Sequence, residues 1–300
     1  MYQFHKEKNQ HNKLEYVILK NPNHGNTIKI CPKIGGALHH LTINNKLIIK
    51  EPNKENYNDV FFSSILFPYV NRVEHGTFSF EETTYNLPLN ETKEKHAIHG
   101  LIYDKEFEVK EYNVSDKNAT IKLRYSEEST TKKTLFNYTI DLTYEINKTA
   151  LNLHINIYNK GLKKFPFNVG WHPFFHNLNK ENRTIHLQSD QKIKFDQKMI
   201  PKYFEAIETD RLIINKSFDD CYRLKEGKII YNNEKYSLLL TSSAEVNYLQ
   251  IFTPKNNDSV AIEFMTSPPN SFNNKVDLDI LAPKKHYSIE WSINLISENK

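Results

Sequence analysis

The chain is poor in the features that mark several function classes. It has two cysteines, Cys31 and Cys221, too few for a disulfide framework and without the paired spacing of a zinc site, so a reducing compartment is expected. Only eight glycines occur among 300 residues. None forms a phosphate-cradling loop ahead of a helix, which leaves nucleotide binding without support. No stretch approaches the roughly 18 apolar residues of a spanning helix, and the polar residues 1–14 lack the apolar core of a signal peptide. A cytoplasmic protein without a membrane partner is the expectation. Charge of one sign is missing too: 40 basic and 36 acidic residues leave a net charge of +4 with no long block of either, so no nucleic-acid partner is indicated. Convincing amphipathic helices, proline-rich or glycine-rich linkers, fixed-period repeats and low-complexity tracts are all absent, although residues 6–13 are polar enough to be loose.

What is present is aromatic and alternating. A hydrophobic fraction of 38% with 17 Tyr and 18 Phe is enough to bury a sizeable core and excludes disorder on composition. Lysine greatly outnumbers arginine, which makes Arg72 stand out. Phe136, Tyr138, Ile140, Leu142, Tyr144 and Ile146 form one apolar row against Asn137, Thr139, Asp141, Thr143 and Glu145. Leu151, Leu153, Ile155 and Ile157 repeat the pattern after a short turn at residues 147–149, the signature of an antiparallel hairpin. Similar runs occur at 119–125, 184–188, 236–241, 248–252, 259–264 and 287–295. Many short strands without alternating helices predict an all-β antiparallel sandwich or barrel. Even strand spacing from Tyr16 to Leu295 predicts one domain over residues 1–300.

Chemistry must then come from three segments: HAIHG (96–100), NVGWHPFF (168–175) and AIEFMTSPPNSFN (261–273). They offer imidazoles and a carboxylate, the groups that move protons at neutral pH. In an extended segment His96 and His99 point opposite ways and share no ligand. His172 and His176 could chelate a metal only on a helix, and Pro173 biases His172 away from that region. No third ligand accompanies either pair, so no metal is expected. Each candidate also has a structural reading: a histidine beside Phe174 and Phe175 can be a satisfied core residue, and Glu263 can pair with Arg72.

The motifs taken together are more specific. FPYVNRVEHGTFSF (67–80), followed by Tyr85, Leu87 and HAIHG, then GWHPFF and IEFMTSPPNSFN, resembles the aldose 1-epimerase family, the galactose mutarotases and their relatives, over about residues 28–291. The resemblance implies a β-supersandwich with a sugar cleft across one sheet. It implies Glu263 as general base, His172 as general acid and His99 as a hydrogen-bonding partner near the ring oxygen, in the interconversion of α and β anomers of an aldose such as glucose or galactose. It further implies Arg72, with Asn71 before it, and Asp219 as groups orienting sugar hydroxyls, Asp220 being the alternative match, and Trp171 as a stacking surface. The expected partner is a small-molecule sugar, and the reaction requires no cofactor. Gly100 is followed by Leu101 rather than a second glycine, and the second histidine lies in GWHPFF rather than after asparagine, which makes this a divergent branch. A non-catalytic carbohydrate-binding module would share the fold, the aromatics, Arg72 and Asp219. A glycoside hydrolase or lyase would need a second carboxylate, for which Glu74 is the sequence candidate.

Overall fold

The computed structural model describes all residues except 11–12, 52–59, 129–135, 177–182, 255–257 and 299–300. Among the described residues the elements are overwhelmingly strands, with one short α-helix, Ser271–Asn274, and two 3-10 turns. No described helix is long and apolar enough to cross a membrane.

The predicted hairpin is present. Tyr138–Asn147 pairs with Ala150–Asn159, Tyr144 facing Leu153 and Leu142 facing Ile155. Its first strand buries every second residue, as a sheet with one face on the core requires. The other alternating runs also fall within strands, here Asn118–Ser126, Thr184–Phe195, Tyr236–Ser242, Asn247–Phe252, Ser259–Met265 and His286–Glu298. All of them belong to one long antiparallel sheet, fifteen-stranded among the described residues. A second sheet takes its five strands in sequence order from Gln3–Lys8 to Lys46–Ile49. A continuous cluster of buried apolar side chains runs from Tyr2 to Leu295 and draws on both sheets. This is the all-β supersandwich expected from the sequence.

Gln3–Lys8 and Pro201–Ile213 are among the strands that escape the pattern. Residues 6–8, expected to be loose, belong to the edge strand Gln3–Lys8, with Lys6 opposite Val17 and Lys8 opposite Glu15. This strand is held by its backbone ladder and by charge, Lys29 reaching Glu7 at 2.9 Å, so its side chains need no apolar row. Positions 11–12 of that polar stretch lie outside the described residues. Pro201–Ile213 is likewise a thirteen-residue strand with a largely exposed surface, paired on one side to Thr184–Phe195.

Candidate active site

Three adjacent strands of the long sheet, Asp219–Leu224, Asn247–Phe252 and Ser259–Met265, form one wall of a cavity of about 410 Å3. Gln250 faces Glu263 across the ladder, and Asp219 faces Phe252. Beyond Ser259–Met265 the neighbouring strand is broken in two. Gly170–Trp171 and Phe174–His176 both pair with it, Trp171 opposite Phe264 and Phe174 opposite Ala261. The register is the same on both sides of the break, so His172 falls opposite Glu263. Pro173 explains the interruption, because it has no N–H to give to a ladder. On its other side the His172 N–H donates to the Ser64 carbonyl at 3.0 Å, and the His172 carbonyl accepts from Ser63 N–H at 3.0 Å. Backbone pairing on two sides thus fixes the imidazole, and its Nε2 lies 3.2 Å from Oε1 of Glu263.

His99 arrives from a different piece of chain. Ala97–Ile98 pairs with Arg72–Val73, and His99 N–H donates to the Asn71 carbonyl at 3.0 Å. Asn71 and His99 both have left-handed backbone, with φ of 47° and 61°, as do Phe61, Ser63 and Asn270 nearby, at 51°, 51° and 61°. Such residues each cost about 1–3 kcal/mol and gather where structure is constrained by function. The His99 ring meets His172 edge-on, centroids 4.9 Å apart, and packs against Phe61 at 4.8 Å. Asn270 ties the C-terminal motif to this wall: its N–H donates to the Arg72 carbonyl at 2.7 Å, and its Oδ1 accepts from Glu74 N–H at 3.0 Å.

Gly100 shows why the histidine is followed by glycine. Its φ is +82°, and a Cβ there would lie 2.3 Å from the Phe67 carbonyl oxygen and 2.6 Å from the Phe67 nitrogen. Both are backbone atoms and cannot move aside cheaply. Gly100→Ala is therefore expected to lower stability by about 2 kcal/mol or more, measured as a reduced urea midpoint with an unchanged denaturant slope.

The electrostatics of the floor follow from burial. Glu263, His99 and His172 are almost wholly buried. Desolvation, with a smaller push from Asp219 and an opposing pull from Arg72, holds the Glu263 carboxyl well above the usual range. Desolvation lowers His172 to about 4. Burial, His172 and Arg72 in that order drive His99 well below the ordinary imidazole value. Asp219 is raised, chiefly by desolvation and against the pull of Arg72. Burial thus shifts both members of the Glu263–His172 pair toward their neutral forms.

The polar rim is a hydrogen-bonded chain. Gln250 donates from Nε2 to Asp219 Oδ1 at 2.7 Å, and Asn71 Nδ2 donates to Gln250 Oε1 at 3.5 Å. Arg72 donates from Nε and Nη2 to Glu91 Oε1 at 3.0 and 2.7 Å, and from Nη1 to Asn71 Oδ1 at 3.3 Å.

Of the residues singled out from sequence, His99, His172, Glu263, Asn71, Arg72 and Asp219 all line this cavity. Asp220 points elsewhere, to Lys192 at 2.8 Å, as strand alternation requires of adjacent residues. Trp171 is not brought to the cavity: it is 3% exposed and packs near Trp291, centroids 6.5 Å apart. Its neighbour His172 takes the cavity side. Arg72 pairs with Glu91 and not with Glu263. Glu74 does not line the cavity. His96 and His99 diverge as expected, His96 accepting at Nδ1 from His75 N–H at 3.0 Å with its Nε2 3.2 Å from the Lys198 carbonyl. His176 is half-buried and does not line the cavity.

The residues that could hold a metal are instead His99, His172 and Glu263, with one donor atom each, all within 4.8 Å of one another. That threefold grouping was not visible as a spacing in the sequence. Phe61, Asn90, Glu91, Gln250 and Phe252 also line the cavity and were not anticipated. Gln250 carried a usable signal, a long polar side chain inside an apolar strand. The others sit in loops or at a strand end, where the sequence carries no comparable pattern.

The model of the aldose 1-epimerase family matches residues 16–294. The uncharacterized protein YihR of Escherichia coli K12 is 24% identical over 276 residues, covering 87% of each chain. A galactose mutarotase-like protein from Clostridium acetobutylicum superposes with a TM-score of 0.87 at 20% identity, over 98% of each chain. Galactose 1-epimerase from Lactobacillus acidophilus NCFM superposes with a TM-score of 0.81 at 16% identity, over 100% of this chain and 99% of that one.

Proposed function

This chain belongs to the aldose 1-epimerase family, and from that premise we propose that it interconverts the α and β anomers of a free aldose such as glucose or galactose by acid–base ring opening and closure. The observation that carries the proposal is the His172–Glu263 contact at 3.2 Å on the floor of a cavity lined also by Asn71, Arg72 and Asp219.

Ring opening removes the proton from the anomeric hydroxyl while one is delivered to the ring oxygen. One acid and one base must act together. The Glu263–His172 pair holds the single proton this needs. Its neutral form and its ion-paired form differ only by transfer of that proton across the 3.2 Å contact. Sugar hydroxyls donating to Glu263 favour the carboxylate, which leaves Glu263 as the base at the anomeric oxygen and His172 as the acid at the ring oxygen. His99, beside His172, hydrogen-bonds near the ring oxygen and shares the charge. After rotation about the bond next to the free aldehyde, the same groups run in reverse and close the ring on its other face. Both groups then regain their starting protonation.

Asp219 can accept from two adjacent hydroxyls and Arg72 can donate to others, and that positioning lowers the entropic cost of reaching the reactive geometry. Gln250 fixes one Asp219 oxygen and leaves the other for sugar. Phe61 and Phe252 line the cavity and take over the apolar-surface role that the sequence suggested for Trp171.

Freshly dissolved pure anomers of several aldoses, followed by polarimetry or one-dimensional NMR, test the reading. Accelerated relaxation of at least one sugar is expected. Binding without acceleration would leave a carbohydrate-binding module.

A further inference from the structure

Glu91 lines the cavity but has no part in the proton transfers. Its backbone is pinned by a bridge to His96, with N–H to carbonyl distances of 3.1 and 3.3 Å. The adjacent Asn90 clamps Ile98, donating to its carbonyl at 2.9 Å and accepting from its N–H at 2.7 Å. Ile98 is in turn the ladder partner of Arg72. The carboxylate of Glu91 and the guanidinium of Arg72 are therefore held toward one another by two lengths of fixed backbone. The contact itself is a fork, with Nε and Nη2 both engaged. Both side chains are mostly buried, at 12% and 19% exposure.

Among the described residues Arg72 is the one mostly buried arginine or lysine of the lining, and Glu91 neutralises it. Lys93, the other basic residue of the lining, is 90% exposed and pairs with Glu94 at 3.1 Å. Asp219 and Glu263 add carboxyl groups to the same wall. Arg72 keeps N–H groups on Nη1 and Nη2 that Glu91 does not take, since a guanidinium has five, and these suit neutral hydroxyl oxygens. An anionic substituent would have to displace Glu91 or lie beside it uncompensated.

We infer that Glu91 is a specificity-determining residue which, by neutralising Arg72, fits the cavity to uncharged aldoses and disfavours sugars bearing a carboxylate or phosphate. The inference rests on the proposed anomer exchange at this site and adds the class of substrate it selects.

Anomer exchange is measured at equilibrium by NMR saturation transfer between anomeric protons, with glucose and glucuronate as probes and the uncatalysed rate subtracted. The wild-type protein is expected to favour glucose. Glu91→Gln is expected to move the glucuronate-to-glucose ratio of kcat/KM up by at least about tenfold, less so at high salt because the added attraction is screened. Glu226→Gln makes the same charge change away from the cavity, beside Lys228, which does not line it, and is expected to leave the ratio alone. A wild-type preference for glucuronate overturns the inference, even if Glu91→Gln proves insoluble. So does a ratio that is unchanged in Glu91→Gln or that moves equally in Glu226→Gln. A wild-type protein inactive on every free sugar defeats the anomer-exchange reading itself, a different failure from an active enzyme indifferent to Glu91.

Discussion

Glu263→Gln is expected to slow anomer exchange by about 100-fold to 10,000-fold, the range for loss of a general acid or base, while the fold survives. Glutamine keeps the shape and a hydrogen-bonding end but cannot take or return a proton. Stability should move the other way from activity. The folded-state value of Glu263 is raised by burial, so its contribution to stability is full below the ordinary carboxylate range. That contribution is lost as pH rises through the raised value, because the buried group must then ionise. The glutamine variant escapes this loss. Its denaturation midpoint at pH 7 should be no lower than wild type, and its stability should fall less as pH rises above the ordinary carboxylate range. Polarimetry beside chemical denaturation checks both halves. A folded Glu263→Gln protein with wild-type rates would remove Glu263 from the chemistry.

His172→Asn is expected to have an effect of the same order, about 100-fold or more in kcat, since asparagine can fill part of the space but cannot shuttle a proton. A pH profile separates this from simple damage to packing. On the proposed mechanism the active pair carries one proton, and a second is expected to enter below about 4, the value to which burial lowers His172. Activity should therefore fall on the acid side near that value and on the alkaline side where Glu263 gives up its proton, each limb reporting the coupled pair. The residual activity of the asparagine variant should lack the acid limb. Stability adds a further sign. Between the ordinary imidazole value near 6.5 and about 4, the unfolded chain takes a proton that the folded chain refuses, so wild-type stability drops as pH falls through that window. The asparagine variant should lose less there.

The strands legible in the sequence were those whose side chains alternate because one face is buried, such as Tyr138–Asn147. Gln3–Lys8 and Pro201–Ile213 were not legible. Their place depends on backbone bonds to a partner strand, and a largely exposed surface leaves no apolar row to read. The site divides in the same way. His99 and Gly100 could be read together from HAIHG, and the crowding of Gly100 against Phe67 supplies the physical reason for that pairing. Trp171 and Asp220 show the limit: each neighbours a cavity residue, and strand alternation sends adjacent side chains to opposite faces. Glu91 lay wholly outside reach, because a carboxylate nineteen positions from its arginine has no periodic signature.

By itself the sequence determined the all-β class, through period-two burial, and the residue types able to move a proton, through motifs around His99, His172 and Glu263. Only the tertiary structure decided which of those groups meet and in what state of charge. Proximity came from a register carried across the Pro173 break, which sets His172 opposite Glu263, and charge from burial that no local pattern encodes. Long-range pairing and desolvation belong to the packed chain, and they turn separate motifs into one cavity.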